Sequence, residues 1–259
     1  MLHLGAPDGA AADVPAISPA QAAALISHHG THWDIGVLIG PHAAPDFFTS
    51  DDIATFFATL RAANPQPASE LAYTSVFELL AAVLLSAQAT DVSVNKATRR
   101  LFLVANTPQA LIDLGEPAVA DHIKTIGLYR NKARHLLQTC RILVAEHGGQ
   151  VPRSRAALEA LPGVGRKTAN VVLNVAFGEP TNAVDTHVFR VSNRSGLAPG
   201  KTPLAVEAQL DVRVPPSYRQ DAHHWLILHG RYVCTARSPK CGECTVRLQC
   251  STGRKLRLD

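Results

Sequence analysis

Four short stretches of the sequence hold residue types from which a reaction could be built. The first is Leu161-Pro-Gly-Val-Gly165-Arg-Lys-Thr-Ala169. Two glycines two apart let a chain turn sharply with its N–H groups exposed. A helix starting at Arg166 would aim those groups outward, so Gly163, Gly165 and Arg166 read as a cradle for a phosphate, independent of base sequence. A bare Gly-x-Gly between helices is otherwise an ordinary turn. The second is Lys167, in the first turn of that helix. There the helix dipole disfavours an ammonium and Arg166 adds like charge, which predicts a lowered pKa and a larger nucleophilic fraction. An amine of this kind forms Schiff bases with masked aldehydes, and an abasic deoxyribose is such an aldehyde.

The third stretch is Ala183-Val-Asp-Thr-His187. Asp185 or Thr186 is expected to cap a following helix. A carboxylate can also support an oxocarbenium-like centre, or take a proton from an amine or water. Lys167 and Asp185 are separated by a turn at Gly178 and Pro180, so two helix starts could face one cleft. His187 reads as a polar contact or phosphate donor. The fourth is Cys234-x6-Cys241-x2-Cys244-x5-Cys250. Four cysteines at this spacing predict a tetrathiolate site, which zinc and an iron–sulfur cluster fill equally well. The fifth cysteine, Cys140, falls on the apolar stripe of a predicted helix and reads as core.

The elements that must position these groups read as helices throughout. Ser75 to Glu78 resembles a capping box ahead of an apolar run from Val76 to Ala89, too short to span a bilayer. Thr107-Pro108 and Thr202-Pro203 each place a capping hydroxyl before a first-turn proline. Gly115, Gly127, Gly148 and Gly178 sit where helices should stop. Apolar positions from Tyr129 to His147 share one helical stripe. No alternating run argues for a sheet, Val37 to Ile39 being only a weak strand candidate. An all-α protein of roughly ten helices is expected.

Composition sets the outer limits. The chain has 259 residues, 46% of them hydrophobic and 18% charged, which excludes disorder as its main state. Residues 1–50 carry four aspartates and no Lys or Arg; they sum to −4, so the other 209 residues carry +8. A basic body favours a polyanionic partner, although a merely solvated surface would show the same balance. The first 50 residues, with no cation, offer no secretory signal. They hold a short helix candidate after Ser18 and three histidines (His28, His29, His32) that read as solvated rather than as a metal cluster.

Taken in order, these stretches resemble the bacterial endonuclease III family of DNA N-glycosylase/abasic-site lyases. The resemblance spans roughly residues 52–253. It rests on Leu84-Leu-Ser-Ala-Gln-Ala-Thr-Asp91, Lys124-Thr-Ile-Gly-Leu-Tyr129, the glycine hairpin with Lys167, Ala183 to His187, His223-His-Trp-Leu-Ile-Leu-His-Gly230 and the cysteine spacing. It implies an all-α fold of two helical lobes with a helix-hairpin-helix element and a cleft between them. A six-helix barrel would cover 69–179 and a cluster lobe 48–68 plus 180–259. Residues 1–47 would be an extension, mobile or lightly docked.

The resemblance also assigns roles. Lys167 matches the nucleophile and Asp185 the catalytic carboxylate. Gln88 matches the residue filling the space of an extruded nucleotide, and Leu128 a wedge against the opposite strand. Gly163 and Gly165 match the phosphate-binding hairpin. Cys234, Cys241, Cys244 and Cys250 would hold a [4Fe–4S] cluster. The implied partner is double-stranded DNA with oxidised pyrimidines or abasic sites, met by a monomer with no membrane association, in the bacterial cytoplasm at the nucleoid. Three rivals remain. A monofunctional adenine glycosylase typically lacks the lysine and carries a further C-terminal domain, whereas here Lys167 is present and nine residues follow Cys250. A DNA-binding module with a zinc ribbon, or a small electron-transfer protein, would need no Lys167.

Overall fold

A computed structural model describes residues 48–256. The strand candidate at 37–39, the helix after Ser18, His28, His29, His32 and the rest of the 1–47 extension lie outside the described residues. Among the described residues there are twelve α-helices and no strand. They are α1 (Ser50–Ala63), α2 (Val76–Leu85), α3 (Asp91–Phe102), α4 (Pro108–Leu114), α5 (Glu116–His122), α6 (Tyr129–His147), α7 (Arg155–Glu159), α8 (Arg166–Phe177), α9 (Thr186–Ser195), α10 (Pro203–Arg213), α11 (Arg219–Tyr232) and α12 (Ser251–Lys255). No described helix is long and apolar enough to cross a membrane.

Local chemistry sets most boundaries. Thr107 and Thr202 cap α4 and α10 with proline in the first turn, and Ser154 caps α7. Gly148 and Gly178 end α6 and α8 in the left-handed conformation. Two expectations need correction. Ser75 accepts from the Glu78 N–H at 3.1 Å, but the Glu78 carboxylate reaches back to the N–H and hydroxyl of Thr74, not to Ser75, so only half a capping box forms. Gly127 ends no helix: α5 already stops at His122, and Gly127 lies in the turn before α6.

The apolar run also stops short. α2 ends at Leu85 because Ser86 bonds back to the carbonyls of Ala82 and Val83 by its N–H and to Val83 by its hydroxyl. The turn that follows puts Gln88 at φ 54° and hands the chain to Thr90, which caps α3. The capped, apolar α2 is therefore shorter than its hydrophobicity suggests, and residues 86–89 are released to a surface.

Among the described residues, two hydrophobic cores form. One gathers α2 to α8, with Leu80, Leu85, Leu101, Leu111, Leu136, Leu137 and Leu143 fully buried. The other joins α1 to residues from Val184 to Val246, around Phe56, Phe57, Tyr218 and Trp225. Phe57 stacks on Tyr218 at 5.7 Å, and Trp225 donates to the carbonyl of Asn64 at 2.8 Å. Burial of each such side chain contributes about 1.5–3 kcal/mol. Cys140 lies in the first core, where burial pushes its thiol up to about 12, so it is inert packing.

Candidate active site and thiolate cage

The loop between α7 and α8 needs its first glycine. Gly163 has φ +79°, where an L side chain is strained, and a Cβ there would crowd His135 at 3.1 Å. A Cβ on Gly165 would meet nothing within 4 Å. Gly165 leaves α8 without a side-chain cap, so its first N–H groups stay open to an anion. Arg166 departs from its expected place. Its Nε and Nη2 donate to the Glu207 carboxylate at 2.9–3.1 Å. That pairing also offsets the like charge expected to press on Lys167.

Lys167 and Asp185 come together. Both line a recess of about 540 Å³ and the open cleft of about 1220 Å³ beside it. Ser86, Asp91 and Arg231 line both spaces as well. Asp185 caps α9: its Oδ1 accepts from the N–H groups of His187 at 2.8 Å and Val188 at 2.9 Å. Gln88 and His187 line the cleft. The Arg190 guanidinium meets Nδ1 of His187 at 3.1 Å. An arginine only donates, so Nδ1 accepts and the proton sits on Nε2, leaving a donor.

Among the described residues, only two that are not glycine have positive φ, and both are exposed. They are Gln88 at 54° and Leu128 at 60°, the pair the resemblance marks for contact with DNA. Left-handed backbone costs such residues roughly 1–2 kcal/mol. Leu128 is 61% exposed, so no packing of its own side chain repays that strain. Leu128, Gly163 and Gly165 lie outside the cleft lining.

Beneath the recess, α11 presents His223, which is 2% exposed with no partner for Nδ1. Burial first, then the neighbouring His224 and Lys167, push its pKa down to about 3, against a hydrogen bond to Ala183. Its folded value is therefore below the unfolded one near 6.5. The stability tied to the neutral ring is complete above about pH 6.5 and falls as pH drops toward 3, by up to about 1.4 kcal/mol per pH unit. Melting the protein between pH 7 and 4 should show this slope, and His223→Asn should reduce it by about one proton's worth; equal slopes would place His223 in contact with solvent.

The four cysteines ring a second void of about 430 Å³, lined also by Phe56, Val191 and Val246. All four are free of disulfides. Zinc at about 2.3 Å from each sulfur would draw the sulfurs to about 3.8 Å from one another. The four sulfurs line one void, a donor set that fits either a single zinc or an iron–sulfur cluster. Burial pushes the Cys244 and Cys250 thiols up, and the neighbouring cysteines add to it. Four thiolates therefore collect only around a positively charged core. Nitrogen donors already face two sulfurs, Arg194 to Cys234 at 3.5 Å and the Gly253 N–H to Cys250 at 3.3 Å, and the His229 ring lies 3.7 Å from Cys244.

Comparison with known proteins decides between these alternatives. Residues 81–216 match the HhH-GPD superfamily of base excision DNA repair proteins, and residues 234–247 match the iron–sulfur binding domain of endonuclease III. Endonuclease III of Escherichia coli K12 is 61% identical over 197 residues, which cover 76% of this chain and 93% of that protein. The chain belongs to the endonuclease III family. The Haemophilus influenzae enzyme of that name is 59% identical over the same shares of the two chains. Two solved structures agree: a trapped endonuclease III–DNA covalent intermediate at 45% identity, covering 80% of this chain and 98% of that one, and a non-covalent endonuclease III–DNA complex at 44%, covering 80% and 97%, each with a TM-score of 0.75.

In this member of the endonuclease III family, Cys234, Cys241 and Cys244 lie in the matched iron–sulfur domain, and Cys250 follows three residues beyond it. Several residues around the site carry no sequence signal of their own. Arg231 bonds Asp91 at 2.6 Å and also pairs with Glu70, which in turn holds Tyr232. Glu207 is equally silent, and His223 and His224, although part of a motif the resemblance rests on, gain a place at the recess only from the fold. Arg247 donates to the carbonyls of Gly253 and Leu256.

Proposed function

We propose that this chain removes oxidised pyrimidines from duplex DNA and then cuts the strand on the 3′ side of the abasic site. The observation that carries this reading is the shared placement of Lys167 and Asp185, from two helix starts, on one recess and one cleft. In this reading the barrel over 69–179 and the described part of the cluster lobe, 48–68 plus 180–256, flank that cleft.

A base inside the stack is out of reach, so the damaged nucleotide is extruded, at a cost of a few kcal/mol. Gln88 fills the gap and Leu128 presses on the opposite strand, offsetting part of the cost. The open N–H groups after Gly163 and Gly165, with His187 Nε2–H, hold phosphates. The Lys167 amine attacks C1′; the C1′–N bond breaks and the base leaves with a proton. Asp185 supports the charge that develops at C1′ and accepts a proton from the new ammonium. The sugar ring opens to a protonated imine, which acidifies C2′. Loss of a C2′ proton sends its electron pair to C3′ and expels the 3′ phosphate, and water releases the enzyme. Cys234, Cys241, Cys244 and Cys250 hold a [4Fe–4S] cluster, whose role is structural, keeping Arg237 and Lys240 presented. The partner is double-stranded DNA and the working unit a monomer.

Borohydride added to the protein with duplexes bearing different oxidised pyrimidines, or an abasic site, is expected to trap a covalent protein–DNA complex. Absence of that complex from folded, DNA-binding protein would refute the lyase. The strained wedge gives a separate expectation. Leu128→Gly should leave stability unchanged or raise it by up to about 1 kcal/mol, because glycine accepts the left-handed backbone. Excision should slow at the same time. A melt showing a clear loss of stability would make Leu128 a packing residue instead.

A further inference from the structure

A buried carboxylate away from the cleft calls for a physical reason. Glu207 on α10 is 5% exposed and lines neither the recess nor the cleft. Its Oε1 accepts from Arg166 Nη2 at 2.9 Å and from Asn170 Nδ2 at 3.0 Å, and its Oε2 accepts from Arg166 Nε at 2.9 Å. Those donors flank Lys167 on α8, one residue before it and three after. Asn170 Nδ2 also donates to the Asn182 carbonyl at 3.1 Å, three residues ahead of Asp185. One carboxylate thus joins the turn that carries the amine to the segment that delivers the acid.

We infer that Glu207 is a positioning residue that sets the separation between Lys167 and Asp185. The inference rests on the reading of those two residues given above. Plain structural support does not account for the arrangement. The Arg166 side chain is 45% exposed, so water could solvate its charge without Glu207. The far end of α8 is docked independently, because Asn174 donates to the carbonyls of Glu179, Thr181 and Gln220. Removing the Glu207 charge therefore loosens the first turn of α8 and leaves the helix in place. A displacement of about 1 Å at a reacting group costs on the order of a hundredfold in rate.

The test measures single-turnover trapping on abasic duplex with borohydride in wild type, Glu207→Gln, Arg166→Gln and the double variant. Active-site titration gives the competent fraction, and fluorescence anisotropy the DNA affinity. Each single variant is expected to form the covalent complex about 10–100-fold more slowly, with DNA affinity within about threefold and the competent fraction retained. The double variant should be no slower than the slower single one, since both cut the same link. A wild-type rate constant in both single variants overturns the inference. So does a reduced competent fraction at an unchanged rate constant, which marks a purely structural role. A parallel loss of affinity also overturns it, because Arg166 would then be a phosphate contact. If Glu207→Gln does not fold, the half-exposed Arg166→Gln decides alone. Failure of wild type itself to trap would reject the lyase reading, a result separable from all of these.

Discussion

Lys167→Ala is expected to bind abasic duplex within about threefold of wild type and to form no borohydride-trapped complex. Strand cutting should fall by about 10⁴-fold or more, the order expected when a covalent nucleophile is removed. The fold should survive. Lys167 is exposed, makes no salt bridge among those formed by the described residues, and occupies the first turn of a helix where alanine is well tolerated. Gel analysis after reduction reads the covalent complex directly. A complex that persists in Lys167→Ala would move the nucleophile elsewhere and dissolve the mechanism.

Asp185→Asn separates the two tasks of that side chain. Asparagine caps helices about as well as aspartate, so the bonds from the His187 and Val188 N–H groups should remain and stability should stay within about 1 kcal/mol. Turnover should drop about 10²–10⁴-fold, the range for loss of a positioned proton acceptor, with DNA affinity little changed. Equal losses of turnover and affinity would reduce Asp185 to a helix cap.

Features set by neighbours along the chain could be read from the sequence. Ser154, Thr107 and Thr202 cap within three residues, the cysteine cage is confined to one short segment, and α6 falls on its predicted span because one apolar stripe runs its length. What escaped reading depends on distant partners. Arg166 sits beside Lys167 in the chain, but its fate is decided 41 residues away at Glu207. Arg231 meets Asp91 across 140 residues. The turn at Gln88 was masked by apolar neighbours that continue helical patterning past Leu85, and its left-handed backbone has no signature in a glutamine. The cysteine spacing alone fits zinc and a cluster equally, because both take four thiolates; the match to the iron–sulfur binding domain of endonuclease III separates them.

The second core joins α1 to residues that begin at Val184. During synthesis, Ile53, Phe56, Phe57 and Leu60 leave the ribosome about 120 residues before the first of their partners. At ~5–20 residues per second, that is a delay of roughly 6–25 s. For that interval a nascent amphipathic helix shows its apolar side to solvent while the intervening segment is free to collapse. A factor that holds exposed apolar helices would have its binding window there.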